Sequence, residues 1–187
     1  MLLKPAVNSS AYLKWGIMGF EGSGKTRTAI EIAIGMTKLV KGKKVAFFDT
    51  EKGSDFHIAR FKAEEIQFDR IKSKSFVDLI DVIREAERGQ YSFLIIDSIT
   101  HVWRELTDSY LKKKRKDRLS MPDWGVLKTE WSQFTDLYVN SKVHIAMLGR
   151  AGHNYEMSED EDGKMQVHKE GIKMRVEAET GYEPDLL

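Results

Sequence analysis

From Tyr12 to Val40 the chain reads YLKWGIMGFEGSGKTRTAIEIAIGMTKLV, and the order of its three parts decides the fold. Tyr12–Met18 is an apolar run of buried-strand type. Thr26–Val40 carries Ala29, Ile30, Ala33, Met36, Leu39 and Val40 at helical spacing and closes at Gly42. Between them GFEGSGKT, Gly19 to Thr26, fits G-x-x-x-x-G-K-[ST], a pattern that belongs between a strand and a helix. Its glycines let successive backbone N–H groups face a phosphate chain, and the helix beyond offers its positive end. Lys25 is spaced to reach β and γ oxygens, and Thr26 to ligate Mg²⁺. Gly19, Phe20, Glu21, Gly22, Ser23, Gly24, Lys25, Thr26 and Arg27 are the expected nucleotide contacts, with ATP and Mg²⁺ as cofactors.

Further apolar runs follow at intervals: KVAFFD (Lys44–Asp49), YSFLIID (Tyr91–Asp97) and VHIAMLG (Val143–Gly149). Their alternation with helical patterns implies an α/β fold, a mostly parallel central sheet flanked by helices on both faces. One helix is marked by the capping pair Ser75 and Asp78, the stripe Phe76, Leu79, Ile80 and Ile83, and Gly89 past its end. Another, Pro122 to about Asn140, is expected to bury Trp124, Leu127, Trp131, Phe134 and Tyr138. Two segments break the rhythm: Tyr110–Met121, and Ala151–Gly171, a long loop or hairpin whose tip SEDEDGK turns on Asp162-Gly163. Ile172, Met174, Val176 and Ala178 then alternate with charged residues as in a strand.

A chain of 187 residues buries one sizeable core and is read as a single domain. Its 30 basic and 29 acidic residues nearly cancel, so any attraction for nucleic acid must be local. No cysteine occurs, which excludes a disulfide frame and thiolate metal sites, and five scattered histidines argue against zinc. The apolar runs are strand-length and the N-terminus has no signal-peptide core, so a soluble, cytoplasmic protein without membrane contact is expected.

A phosphate loop needs a second acid for magnesium, and FLIID presents Asp97 at the end of a buried strand. Hydrolysis needs a group that orients water. Ser98 occupies the place directly after Asp97, so Glu51 of FFDTEKG is the catalytic candidate, with Asp49 as helper or structural acid. Arg150, ending the fourth apolar run, is placed either to sense a γ-phosphate or to open a loop on the surface. The run KKKRKDR holds six basic residues and one acid, and Lys112, Lys113, Lys114, Arg115, Lys116 and Arg118 are the candidate contacts of single-stranded DNA, with Tyr110 nearby for stacking.

The order GFEGSGKT, FFDTEKG, FLIIDS, a basic insertion, IAMLGR, a long insertion and GIKMRVEAE resembles a RecA-type P-loop ATPase, closest to the compact kind of bacteriophage genomes. The resemblance implies a sheet in which phosphate-loop and Asp97 strands flank one other strand, ATP bound at subunit boundaries, and two DNA-touching loops, here Tyr110–Met121 and Ala151–Gly171. It assigns Lys25, Thr26, Asp97 and Glu51 the roles given above, while Arg150 replaces a γ-phosphate-sensing amide. It also implies a homo-oligomer, a phage single-strand-binding or recombination partner, and the host cell's cytoplasm. A small-molecule or nucleotide kinase, and a nucleotide-gated assembly or packaging partner, remain the alternatives from other classes.

Overall fold

The structure, a computed structural model, describes residues 11–159 and 165–187, apart from the side chains of Glu156 and Glu159. Its elements are β1 (Lys14–Gly19), α1 (Lys25–Leu39), β2 (Lys44–Asp49), α2 (Ile58–Ala63), β3 (Gln67–Lys72), α3 (Phe76–Arg88), β4 (Phe93–Asp97), α4 (Ile99–Lys114), α5 (Met121–Asn140), β5 (His144–Glu159) and β6 (Met165–Met174). Five strands lie in the order β1-β5-β4-β2-β3, all parallel, and β6 pairs antiparallel with the outer half of β5. The strands carrying the phosphate loop and Asp97 are therefore separated by β5 alone.

The central strands are apolar throughout because both of their faces are covered. Ala46, Phe48, Leu94, Ile96, Ile145 and Met147 point toward α3, α4 and α5, while Val45, Phe47, Phe93, Ile95, Ala146 and Leu148 meet α1 and Phe61 of α2. The Ser75 hydroxyl accepts from Asp78 N at 3.2 Å and opens α3 where its sequence pattern placed it. At the outer side of β1, Gly16 N donates to Leu186 O and Asp185 N to Lys14 O, both at 2.7 Å. A Cβ at Gly16 would lie 2.6 Å from Leu187 Cδ1 and 2.9 Å from Pro184 Cγ, so a larger residue here would have to displace the side chains of the tail.

Several expectations are corrected. β1 starts at Lys14, since Tyr12 is exposed ahead of it. Leu39 and Val40 end α1 in solvent, and Ile34 and Thr37 complete its buried stripe instead. Trp124 is 40% exposed, set over Trp103, because it sits on the first turn of α5 outside the sheet's footprint. Tyr110–Met121 is no separate insertion: α4 runs through Lys114, and Lys112, Lys113 and Lys114 are its last turn, favourable beside the helix's negative end. β6 stops at Met174, leaving Val176 and Ala178 in irregular backbone. Ala151–Gly171 is for the most part the β5–β6 hairpin, while its tip at Asp162-Gly163 lies outside the described residues. β3 and α2 carry no expectation from sequence. Among the described residues no helix is long and apolar enough to cross a membrane.

The fully buried Trp131 joins α5 to the irregular tail, its Nε1 donating to Thr180 Oγ1 at 2.9 Å. Trp131→Phe removes that donor and part of the packed volume and is expected to cost about 1–3 kcal/mol in urea unfolding at unchanged slope. Trp124→Phe, at the half-exposed position, stays within about 0.5 kcal/mol of the parent.

Candidate functional site

Parallel register brings the ends of β1, β2 and β4 to one edge, beside the first half of β5. Gly19 lies opposite Arg150, Leu148 opposite Asp97, and Asp97 opposite Asp49. The crevice above this edge has a volume of about 310 Å³ and is lined by Glu21 to Arg27, Glu51, His57, Asp97 and Arg150. All four residues expected from sequence to act chemically, Lys25, Glu51, Asp97 and Arg150, thus meet around one cavity.

The loop wraps through left-handed backbone at Gly22 (φ 74°) and Gly24 (φ 86°), a conformation that a side chain would strain. A Cβ at either position would meet nothing within 4 Å, so both faces open outward. Gly24 caps α1 without any side-chain hydrogen bond, which leaves the first-turn N–H groups free for an anion. Lys25 Nζ donates to the carbonyls of Gly19 at 3.0 Å and Phe20 at 2.9 Å. Phe20 turns away from the crevice, 46% exposed and 5.5 Å from the His153 ring. Arg27 pairs with Glu31 at 2.9 Å on the exposed face of α1.

Thr26 Oγ1 donates to Asp97 Oδ2 at 2.5 Å. Burial pushes the Asp97 carboxyl up to about 6, and the Glu51 and Asp49 carboxylates add to the shift against the Thr26 hydrogen bond and Lys25. A hydroxyl beside a buried carboxylate surrounded by further negative charge is the donor set a magnesium ion favours, so Thr26 and Asp97 fit that ion. Among the described residues no cluster of three or more His, Asp or Glu forms another metal centre.

Asp49 is a structural acid. It accepts from Glu51 N at 3.0 Å, Lys52 N at 2.6 Å, Ser54 N at 3.0 Å and Ser54 Oγ at 2.5 Å, and so shapes the turn that presents Glu51. Burial works to raise its pKa, but these bonds outweigh burial and hold it below the usual value. Glu51 Oε1 accepts from Arg150 Nε at 3.2 Å and Nη2 at 3.1 Å, so the two candidates are each other's partner. His101 Nδ1 lies 3.7 Å from the same oxygen. His101, His57, Thr50 and Thr100 were absent from the sequence reading. Recognising that a helix begins at Ile99 would have placed Thr100 and His101 on its first turn at the crevice.

The basic run lies elsewhere. α4 spans 16 residues, about 24 Å at 1.5 Å per residue, and separates Lys112–Lys114 from the crevice by its own length. Lys112, Lys113, Lys114, Arg115 and Arg118 are exposed. Lys116 is committed to Asp123, with Nζ 2.7 Å from Oδ2, and Tyr110 Oη donates to Asp123 Oδ1 at 2.8 Å. Lys116 and then the Ser120 donors hold the Asp123 carboxyl well below the usual carboxylate range.

A phosphate loop before a helix, with a threonine hydroxyl and a buried strand-end acid behind it in a parallel sheet, defines a nucleotide-binding P-loop ATPase. The chain belongs to the family described as an AAA domain, which matches residues 11–183. No curated protein matches it in sequence.

An acid whose folded pKa exceeds its unfolded value opposes folding once both forms ionise. In the absence of metal, Asp97→Asn is therefore expected to stabilise the protein at pH 7.5 by on the order of 2 kcal/mol. The gain shrinks as pH falls through 6 and is lost below about 4, where the unfolded form of the parent becomes protonated as well. Urea unfolding in chelator at the two ends of this range measures the difference.

Proposed function

We propose that the chain is a single-domain, Mg²⁺-dependent ATPase of RecA type that acts on single-stranded DNA in phage-style recombination, annealing or replication, in the cytoplasm. The supporting observation is the meeting of Glu51, from the turn after β2, with Lys25, Thr26 and Asp97 around one crevice. Ser98, not a second acid, follows Asp97, so Glu51 is the carboxylate at the right edge of the sheet to orient water. In-line attack on the γ-phosphorus needs an oriented water and neutralised phosphate oxygens. Glu51 supplies the first, while Lys25 and the loop N–H groups supply the second. Thr26 and Asp97 would hold a magnesium ion, which would supply further neutralisation of phosphate charge. Arg150 holds Glu51 through two nitrogens. A γ-phosphate competes for that guanidinium, and its success releases the carboxylate toward water.

Glu51→Gln is expected to keep MgATP affinity and lose on the order of 10² or more in turnover. Equal turnover in parent and variant, measured as phosphate release, would move the base elsewhere and remove the support for the RecA type.

The DNA part of the proposal rests on the exposed end of α4, where Lys112, Lys113, Lys114 and Arg115, among the described residues, form no ion pair like that of Lys116 with Asp123, although Asp108 and Asp117 lie nearby. Single-strand binding is expected to weaken with salt by a log-log slope of about 0.7 per phosphate contacted. Replacing Lys113, Lys114 and Arg115 by Ala should flatten that slope by about two, with ATP affinity unchanged. Fluorescence anisotropy on a labelled oligonucleotide across a salt series reads it. An unchanged slope would leave the run as a solvated helix end.

A further inference from the structure

The first turn of α4 lies beside three of the four candidate chemical groups, Glu51, Asp97 and Arg150. Thr100 Oγ1 accepts from Arg150 N, on β5, at 2.9 Å. His101 Nδ1 lies 2.8 Å from the hydroxyl of Thr50, the first residue past β2. That hydroxyl also accepts from the backbone N–H of Ser98, the first residue past β4, at 2.8 Å. One imidazole and one hydroxyl thus link the strand end preceding Glu51 to the strand end bearing Asp97.

Counting protons at this link fixes its direction. Ser98 N–H already donates into Thr50 Oγ1, so the threonine's own proton is left for an acceptor, and the His101 Nδ1 lone pair is the one in reach. The alternative, Nδ1–H donating to Thr50, would strand the proton of a hydroxyl on a residue only 5% exposed. Burial holds the His101 pKa below the usual histidine value, against the pull of Glu51 and with Arg150, Lys74 and Arg104 acting in the same sense as burial. A neutral ring protonated on Nε2 satisfies every partner.

We propose that His101 is a positioning residue for hydrolysis: acting through the Thr50 hydroxyl, it sets where Glu51 stands relative to Asp97. The inference rests on the reading of Glu51 as the group that orients water. At 3.7 Å the ring does not hold the Glu51 carboxylate itself, a task left to Arg150. It holds the residue before Glu51, while Asp49 holds the backbone of Glu51 itself and of Lys52 and Ser54 beyond it. The carboxylate is therefore carried on a segment pinned from both sides. A displacement of about 1 Å at such a group costs up to about 10²-fold in rate.

The test compares His101→Phe, which keeps a ring without an acceptor, with His101→Asn, whose Oδ1 occupies the place of Nδ1. His101→Phe is expected to lower kcat about ten- to a hundred-fold with MgATP affinity near the parent's, and to lower the thermal midpoint by a few degrees because the Thr50 hydroxyl loses its acceptor. His101→Asn should recover most of that rate, and Thr50→Val, which deletes the hydroxyl at nearly constant volume, should reproduce the loss. A merely structural role predicts that MgATP affinity falls in step with the midpoint while kcat at saturation stays near the parent's, with no rate for Asn to rescue. Parent-like kcat in His101→Phe, while Glu51→Gln is impaired, would overturn this inference and leave the Glu51 reading intact. Parent-like kcat in Glu51→Gln would overturn the reading on which it rests. Should His101→Phe fail to fold, the His101→Asn and Thr50→Val pair reads the same contact.

Discussion

Parallel register between β1, β5, β4 and β2 is the constraint from which the site follows. In a parallel sheet every strand delivers its carboxyl end to the same edge, and the crossovers bring helices back over both faces. Here the last residues of β1, β4 and β2 are held in register through the first half of β5: Gly19 pairs with Arg150, Asp97 with Leu148, and Asp97 with Asp49. A slip of one residue in any strand would turn its buried side chains to the wrong helical layer and move its functional residue off the level of the others. The apolar packing that stabilises the fold and the geometry of the crevice are thus set by the same ladder of hydrogen bonds.

The electrostatic character of the crevice follows from that convergence. Three carboxylates, Asp49, Glu51 and Asp97, are brought together at one edge, and each is handled differently. Asp49 is satisfied by backbone N–H groups and Ser54, Glu51 by the Arg150 guanidinium, and Asp97, among the described residues, by the Thr26 hydroxyl alone. Asp97, buried and the least compensated, is the one whose proton affinity rises. The acid with the largest unmet demand for positive charge therefore sits beside the threonine expected to share a cation with it.

Much of this was legible in the sequence where residues act through local pattern. KVAFFD coincides with β2 end to end, and Ser75, Asp78 and Gly89 bracket α3, because periodicity and caps are local signals. The phosphate loop is local too, and all of its residues except Phe20 either line the crevice or shape its loop. β3 was missed because QFDRIK, on the edge of the sheet, is half polar and shows no apolar run. α4 was missed because its buried face (Ile99, Val102, Leu106) is sparse and its basic end drew the reading toward an insertion. The Glu51–Arg150 pair and the Thr50–His101 contact join residues 99 and 51 positions apart. Only the insertion of β5 between β1 and β4, and the start of α4 at Ile99, bring them together, and no local pattern encodes either.

The turn after β2 has a consequence in conformational entropy. Four hydrogen bonds to Asp49 immobilise Glu51, Lys52 and Ser54, and Lys52 is held at a positive φ of 63°. Ordering a residue's backbone costs roughly 1–2 kcal/mol, whenever it happens. In this turn the ordering happens during folding, offset by a buried carboxylate that would otherwise lack partners. A ligand arriving at the crevice meets a segment that has no freedom left to lose, so more of its contact energy appears as affinity. The cost stays in the protein's own stability, where weakening Asp49 would return it to the binding step.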